Sequence, residues 1–190
     1  MGRYLVTIMM DELSLNILDI AQNSIEADAT LVEIDVEEDD SANTLLISVK
    51  DNGKGMDEEF LKTVENPFST TRTTRKIGLG ISFFKEAAEM TDGSLELISK
   101  PGVGTTITGI FTKDHVDRQP IGDITGTITA LVSLNTDVDF EFRYKVNENE
   151  FLFSTREVKA MLGEDEELNK PAIISFLTEY INEHLNALYN

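Results

Sequence analysis

Apolar residues recur every three or four positions between residues 12 and 29, which predicts an amphipathic helix. Residues 30–39 instead alternate aliphatic residues with acids, as a half-buried strand does, and residues 43–50 predict a second strand. In the rest of this half the pattern predicts a short helix at residues 57–65 and a second helix at residues 81–90. A hairpin of two strands is predicted at residues 94–100 and 105–111. The pattern predicts an α+β fold in which helices cover one face of a mixed sheet.

A change of composition near residues 113–123 separates a second segment. This segment predicts a helix, a hairpin, a short helix that begins with the capping-box residues Ser154 and Glu157 and ends at Gly163, and a long last helix after Pro171. We therefore divide the chain into a domain at residues 1–117 and an αββαα-type C-terminal extension at residues 118–190. The apolar stripe of the last helix predicts packing on its own hairpin, with a partner-docking or homodimer surface as the alternative.

Composition narrows the class of protein. The chain has 190 residues, a formal net charge of −19 and no cysteine, so disulfides and thiolate metal sites are excluded. An acid excess of this size repels nucleic acid and anionic membranes, so we expect neither as a partner. No apolar run approaches the ~20 residues of a membrane span, and the start of the chain lacks the apolar core and cleavage site of a signal peptide. We expect a cytoplasmic protein.

The first predicted helix has a second, polar face, made by Asn16, Asp19, Asn23 and Glu26 at spacings of three or four residues. A solvated surface would explain such a face. However, asparagine is a poor helix former, and its carbonyl oxygen can bind a metal ion. An acid one turn earlier can act as a base towards water or a hydroxyl. The stripe is compatible with both interpretations.

The stretch KDNGKGMDEEF, residues 50–60, resembles the start of a calcium loop. An EF-hand loop beginning at Asp51 needs oxygen ligands, a glycine and a bidentate glutamate at fixed positions, where the sequence has Gly53, Gly55, Met56 and Lys62. The calcium interpretation therefore fails. A glycine turn after a strand instead lets a ligand approach the backbone, and Asp51 can accept a hydrogen bond from an exocyclic amine such as that of adenine. An ordinary strand-to-helix turn is the alternative.

Residues 69–77, STTRTTRKI, form a basic stretch with Arg72, Arg75 and Lys76 and no acid. Cations beside hydroxyl groups suit phosphate contact, and a flexible surface loop is the alternative. Gly78 and Gly80 then precede a predicted helix, whose N-terminus can bind an anion. Their spacing matches neither the dinucleotide-binding pattern nor the P-loop. These residues indicate an anion site of another kind.

In order along the chain, the segments DIAQNSIEADA, DNGKGM, NPFSTTR, IGLGIS and PGVGTT resemble the N box, the first glycine box, the F box and the second and third glycine boxes of the GHKL ATPases. This family shares the Bergerat ATP-binding fold and includes sensor histidine kinases, anti-sigma serine kinases, mismatch-repair ATPases, type II topoisomerases and a heat-shock chaperone. The resemblance covers residues 13–112. It implies a two-layer α/β sandwich with a mostly antiparallel sheet, and a site for ATP and Mg²⁺.

The resemblance also implies roles for individual residues. Asn23 would ligate Mg²⁺, Asp51 would accept a hydrogen bond from the adenine amine, and Thr105 would support adenine through Asp51 and water. The adenine pocket would be shaped by Ala27, Gly53, Gly55 and Met56. The phosphates would meet Gly78, Leu79 and Gly80, and residues 69–77 would form the ATP lid, so that the implied site includes Phe68, Thr70, Arg72, Arg75 and Lys76.

Asp19 lies four residues before Asn23. The histidine kinases that the sequence resembles usually have asparagine there, whereas hydrolases and anti-sigma kinases usually have a glutamate base, so the resemblance implies that Asp19 is the catalytic base. Neither His115 nor His184 lies in a two-helix phosphoacceptor hairpin. We therefore expect an Mg-ATP-binding, kinase-like protein that acts on a separate protein carrying the phosphoacceptor or effector. An ATP-hydrolysing switch or clamp and a non-catalytic ATP sensor are the alternatives.

Overall fold

The computed structural model describes residues 12–59, 61, 79–163 and 167–190. Within these ranges the chain forms helices and strands whose bounds, in chain order, are α1 Leu13–Glu26, β1 Leu31–Asp39, β2 Thr44–Asp51, α2 Leu79–Glu89, β3 Ser94–Lys100, β4 Gly104–Thr112, α3 Ile124–Leu134, β5 Asp139–Val146, β6 Asn149–Ser154, α4 Thr155–Leu162 and α5 Pro171–Ala187. Among the helices described, none is both long enough and apolar enough to cross a membrane.

The strands form a mixed sheet of six strands in the order β3-β4-β2-β1-β5-β6. β1 and β5 run parallel to each other, whereas every other neighbouring pair is antiparallel. The predicted α+β class and the mixed, mostly antiparallel sheet are therefore confirmed.

One face of this sheet is buried beneath helices. Burial alternates along β1, β2 and β5, so that Ile34, Ile47 and Phe142 point into the core. Phe84 of α2 packs on Phe111 of β4, with ring centroids 5.5 Å apart. Apolar residues of α1, α3 and α5 belong to the same core. Apolar burial of this kind is the main favourable term in folding.

The opposite, open face of the sheet carries ion pairs on β1 and β5, together with exposed Ile98 and Ile110 on β3 and β4. Arg143 bonds to Asp35 at 2.6 Å, and Lys145 bonds to Glu37 at 2.8 Å. Pairs that are about one-third exposed contribute little to stability, but they keep this face hydrated. Helices on one face of the sheet, as predicted, are thus the arrangement found.

The hairpin β5–β6 completes the sheet. β5 pairs with β1 from Leu31 opposite Asp139 to Glu38 opposite Val146, and α3 packs against α1, where Thr127 Oγ1 donates to the Ser14 carbonyl at 3.4 Å. The sheet therefore contains strands from both sides of the boundary that the sequence predicts near residue 117.

The helix ends differ in part from the predicted capping. Ser154 occupies the N-cap position of α4, but its side chain makes no capping hydrogen bond, so the predicted capping box does not form. Thr155 Oγ1 instead accepts a hydrogen bond from the Phe140 amide at 2.9 Å and ties α4 to β5. Gly163 does follow α4 with φ +86°, and Pro171 does begin α5.

A buried acid links the C-terminal segment to the rest of the sheet. Glu38 of β1 is 6% exposed. Its carboxylate accepts hydrogen bonds from Tyr144 at 2.7 Å and from Tyr189, and it pairs with Lys113 at 2.8 Å. Burial acts to raise the pKa of Glu38, but the bonds from Lys113, Tyr189 and Tyr144 outweigh it and hold that pKa below its usual value.

We expect Glu38→Gln to lower the free energy of unfolding by about 1.5–3 kcal/mol at neutral pH, as for hydrogen bonds to a charged group. Because the folded-state pKa of Glu38 is lowered, this contribution is complete above the unfolded-state pKa and is lost as the pH falls through the folded-state pKa. Urea unfolding at decreasing pH should show the difference between wild type and variant shrinking.

The control for this variant is Glu33→Gln, which breaks the more exposed pair between Glu33 and Lys50. It should cost less than about 1 kcal/mol. Equal losses for the two variants would show that the Glu38 cluster adds nothing beyond an ordinary surface pair.

Candidate functional site

Asp51 lies at the end of β2 and is 8% exposed. Its Oδ2 atom accepts a hydrogen bond from Ser24 Oγ at 2.7 Å. Its Oδ1 atom accepts hydrogen bonds from the backbone amides of Gly53 at 2.8 Å and Thr105 at 3.2 Å. Donors from α1, the following turn and β4 thus fix the orientation of this carboxylate.

The turn after β2 is held against the end of α1. The Asn52 Oδ1 atom accepts hydrogen bonds from the amides of Thr30 and Leu31 at 2.9 and 3.0 Å. The Lys54 amide donates to the Ala27 carbonyl at 2.9 Å. These contacts place Ala27 beside the glycine turn.

Glycines let three backbone segments meet at this turn. A Cβ atom on Gly53 would lie 2.6 Å from the Ala27 carbonyl oxygen. Gly55 has φ +66°, and its Cβ would lie 2.1 Å from the Lys100 carbonyl oxygen. Gly104 has φ +129°, and its Cβ would lie 1.9 Å from the Asp51 carbonyl oxygen. Any side chain at these positions would push the turn away from its neighbours.

The β3–β4 hairpin supports the turn from the other side. Ser99 Oγ accepts a hydrogen bond from the Met56 amide at 2.8 Å and lies 2.8 Å from Thr105 Oγ1. Ser99 also donates to the Gly104 carbonyl at 3.1 Å. Thr105 thus contacts Asp51 directly, and Ser99 links Met56 to Thr105.

Asp19 and Asn23 lie one turn apart on α1, and Asn23 Nδ2 donates to Asp19 Oδ2 at 3.4 Å. The start of α2 approaches this pair so closely that a Cβ on Gly80 would lie 1.6 Å from Asp19 Oδ2. Burial raises the pKa of Asp19, the hydrogen bond from Asn23 lowers it, and the charge of Glu26 raises it further, with a net upward shift. A partly buried acid, an amide and a helix N-terminus thus converge.

The described part of the chain brings together most of the residues named from the sequence: Asp19, Asn23, Ala27, Asp51, Gly53, Gly55, Met56, Gly80 and Thr105. Leu79 begins α2. Phe68, Thr70, Arg72, Arg75, Lys76 and Gly78 lie outside the described residues, as does most of the short helix predicted at residues 57–65.

Two hydroxyl residues of the site were not named from the sequence, Ser24 and Ser99. Ser24 occupies a position of the buried stripe of α1 that follows Ile17 and Ile20 at helical spacing. The sequence could therefore have pointed to Ser24 through its hydroxyl group, which stands where the helical pattern expects an apolar side chain. Asn16 of the polar stripe is itself buried, and among the described residues its Oδ1 atom has no hydrogen-bond partner.

The family model described as histidine kinase-, DNA gyrase B- and HSP90-like ATPase matches residues 5–115. The chain belongs to this family of ATPase domains, in which ATP binding is the shared property. The resemblance proposed from the sequence is therefore confirmed.

Relatives with sequence similarity include sensor kinases from bacteria. The sensor histidine kinase YvrG of Bacillus subtilis is 34% identical over 95 residues, which are 48% of this chain and 16% of that protein. The sensor protein kinase FleS of Pseudomonas aeruginosa is 39% identical over 101 residues, 53% of this chain and 25% of that protein. The matched region thus spans a quarter or less of the length of these two relatives.

A solved structure has the same fold. It is the N-terminal domain of a DNA repair protein, with a TM-score of 0.52 and 14% sequence identity. The similarity covers 82% of this chain and 58% of that chain. The shared architecture therefore includes strands and helices beyond the residues that match the family model.

Gly55→Ala should destabilise the chain more than Gly102→Ala. Both glycines have positive φ, +66° and +72°, so the backbone alone costs about 1–2 kcal/mol for alanine at either position. At Gly55 the new Cβ also meets the Lys100 carbonyl, whereas nothing lies within 4 Å at Gly102. Urea unfolding measures both losses. Similar losses would mean that the turn shifts freely away from the β3–β4 hairpin.

Proposed function

We propose that this chain binds ATP with Mg²⁺ between α1, the turn after β2 and the start of α2, and acts as a kinase-like subunit that phosphorylates a separate protein. The fixed carboxylate of Asp51 carries the proposal. A carboxylate has about four lone-pair positions, and its three protein donors are Ser24, Gly53 and Thr105. It can therefore accept one more hydrogen bond, which suits the exocyclic amine of adenine.

The same carboxylate would select adenine over guanine. Guanine presents a carbonyl oxygen where adenine presents its amine, and two acceptors facing each other leave both unsatisfied. Gly53 and Gly55, with Ala27 and Met56 beside them, leave backbone rather than bulky side chains around the base. This supports a flat, close-fitting adenine pocket.

The residues present fit a magnesium ion that is held mainly through phosphate. Asn23 donates its Nδ2 group to Asp19, so its carbonyl oxygen is the atom available to a cation. Among the described residues, no group of three or more acidic, imidazole or thiol side chains could hold a metal ion alone. Mg²⁺ is commonly bound by few side chains together with substrate phosphates and water. When bound, it would neutralise phosphate charge.

Asp19 would act as the general base towards an acceptor hydroxyl. Its raised pKa makes it a better proton acceptor than an exposed aspartate. The start of α2, at Leu79 and Gly80, would meet the phosphates through backbone N–H groups. The sensor-kinase relatives support the kinase assignment, whereas the partner, a homodimer and a cytoplasmic location stay predictions.

A second candidate is an ATP-hydrolysing switch. The contact between Asp19 and Asn23 favours it, because water near the Asn23 carbonyl could take the place of a protein hydroxyl. The same chemistry would then release phosphate without a partner.

Thermal unfolding with and without Mg-ATP, Mg-ADP and Mg-GTP, followed by a phosphate-release assay, tests the proposal. Ligand at about a hundred times Kd should add ~2.7 kcal/mol of stability, and we expect this for adenine nucleotides only. Phosphate release in these samples would favour the switch, and its absence would favour a kinase that needs its partner. No shift with any nucleotide would contradict ATP binding by this chain.

Asp51→Ala should weaken ATP binding about ten- to a hundredfold, because it removes a charge-assisted hydrogen bond of roughly 1.5–3 kcal/mol. Isothermal titration calorimetry measures the affinity. Asp92→Ala removes an exposed acid after α2 and is the control. Because Asp51 also holds Ser24 and Thr105, urea unfolding must show that the variant is folded. Unchanged affinity would remove Asp51 from the adenine site.

Asp19→Asn should leave ATP binding intact and stop turnover. In the wild type, turnover should fall as the pH drops through the pKa of Asp19, because only the carboxylate accepts a proton, and burial places that pKa above its ordinary value. A raised folded-state pKa means that ionisation of Asp19 opposes folding, so the variant should be no less stable at neutral pH. If Asp19→Asn turned over ATP as fast as the wild type, Asp19 would have no catalytic role.

A further inference from the structure

β6 is an edge strand whose outer side has no neighbouring strand in the described sheet. A two-residue loop joins it to β5, with Val146 opposite Asn149. In an antiparallel pair closed in this way, alternate residues bond to the partner strand. Glu150 and Leu152 therefore direct backbone N–H and C=O groups outward, and Ser154, whose carbonyl begins α4, directs its N–H group outward.

This edge lacks three of the features that usually prevent strand addition, although β6 is short and carries the charged side chain of Glu150. Edge strands in natural proteins are commonly protected by proline, lysine or a bulge. The sequence of β6, NEFLFS, has neither residue, and it pairs with β5 without a bulge from Asn149 to Ser154. Leu152, which lies between Glu150 and Ser154 on this edge, is 62% exposed. The strand can therefore accept a further strand along its edge.

α5 runs back along β6 and adds a row of rings beside the edge. Asn149 Nδ2 donates to the Leu188 carbonyl at 3.1 Å. Further along, the Phe151 ring lies 5.0 Å from His184 and 5.7 Å from Tyr180, between ring centroids. Phe176 continues the row at the spacing of one helical turn, 6.0 Å from Tyr180, and is 62% exposed.

The outer edge of β6, with Leu152 on the open face and Phe176, Tyr180 and His184 on the helix face, is called here the β6–α5 groove. Exposed acids surround it: Glu148, Glu150, Glu179 and Glu183. The cations on the neighbouring part of β5 and α4 are already paired with other acids: Arg143 with Asp35, Lys145 with Glu37, and Arg156 and Lys159 with Asp139. The rim of the groove is therefore negative.

The charge decides between two possible occupants. A second copy of this chain would bring a rim of the same acids and a net charge of −19 to the first copy, and like charges across an interface oppose association. A cationic segment would instead pair with the rim. Charge complementarity thus favours a positively charged partner over a second copy.

We propose that the β6–α5 groove binds an extended, cationic segment of another protein by strand addition. The segment would pair with the outward backbone groups of Glu150, Leu152 and Ser154. Because side chains alternate along a strand, one set would contact Phe176 and Tyr180, and the other would lie beside Leu152 and Glu150. None of these residues belongs to the ATP site, so the proposal stands independently of the proposed function.

The test uses a peptide of alternating valine and lysine residues as the probe and the full chain labelled with ¹⁵N. We expect the amide signals of Glu150, Leu152 and Ser154 to shift and to exchange more slowly with solvent when the peptide is added. A valine–lysine peptide of equal charge that is N-methylated at every backbone amide has no N–H group to donate and should bind at least about threefold more weakly. No response of these amides to the valine–lysine peptide, or equal binding of the N-methylated peptide, would overturn the proposal.

Leu152→Pro removes an outward N–H group without removing a bond to β5, and Leu152→Ala is the matched control that keeps this group. We expect the proline variant to bind the peptide at least about threefold more weakly than the alanine variant. Equal affinities would overturn strand addition. If Leu152→Pro fails to fold, Phe176→Ala on the exposed side of α5 serves instead. Unchanged affinity in that variant would remove the ring row from the site.

Sedimentation of the free chain tests whether a second copy of the chain occupies the β6 edge instead. We expect wild type and Leu152→Pro to sediment alike, because the proposal needs no second copy of the chain at this edge. A dimer that Leu152→Pro dissociates would show that a second copy occupies this edge, which would overturn the proposal.

Discussion

The arrangement of the site depends on the buried carboxylate of Asp51. Its donors come from parts of the chain that are far apart in sequence: Ser24 on α1, Gly53 in the turn and Thr105 on β4. A buried charge without such partners would be costly, so these segments must meet for the fold to be stable. The requirement that stabilises the fold is also the one that orients a hydrogen-bond acceptor in the candidate site.

The C-terminal segment contributes to the same core. β5 pairs in parallel with β1, and the Glu38 cluster joins Tyr144 and Tyr189 to Lys113. Since β1 begins directly after the loop that leads from α1, this pairing also fixes one side of the candidate ATP site. The outer edge of the segment, at β6, lies on the other side of the hairpin. One segment thus supports the candidate site and also forms the β6 edge of the sheet.

Much of the fold was predictable because the pattern of burial is local. The alternation of Val32, Ile34 and Val36 identifies β1, and the residues from Thr155 to Gly163 identify α4 and its end. The pairing of β5 with β1 was not predictable, because strand neighbours depend on contacts between residues far apart in sequence. The failed capping box has a similar cause, since Thr155 bonds to Phe140 of a different strand.

The sequence by itself determined the chemistry of the site: an acid and an amide one turn apart at Asp19 and Asn23, and an aspartate before glycines at Asp51. Glycine and carboxylate residues have few substitutes in such roles, so their spacing was informative. Only the tertiary structure decided that Ser24 holds Asp51 and that Gly80 lies against Asp19. A serine hydroxyl suits many environments, and the approach of two helices follows from the packing of the whole core.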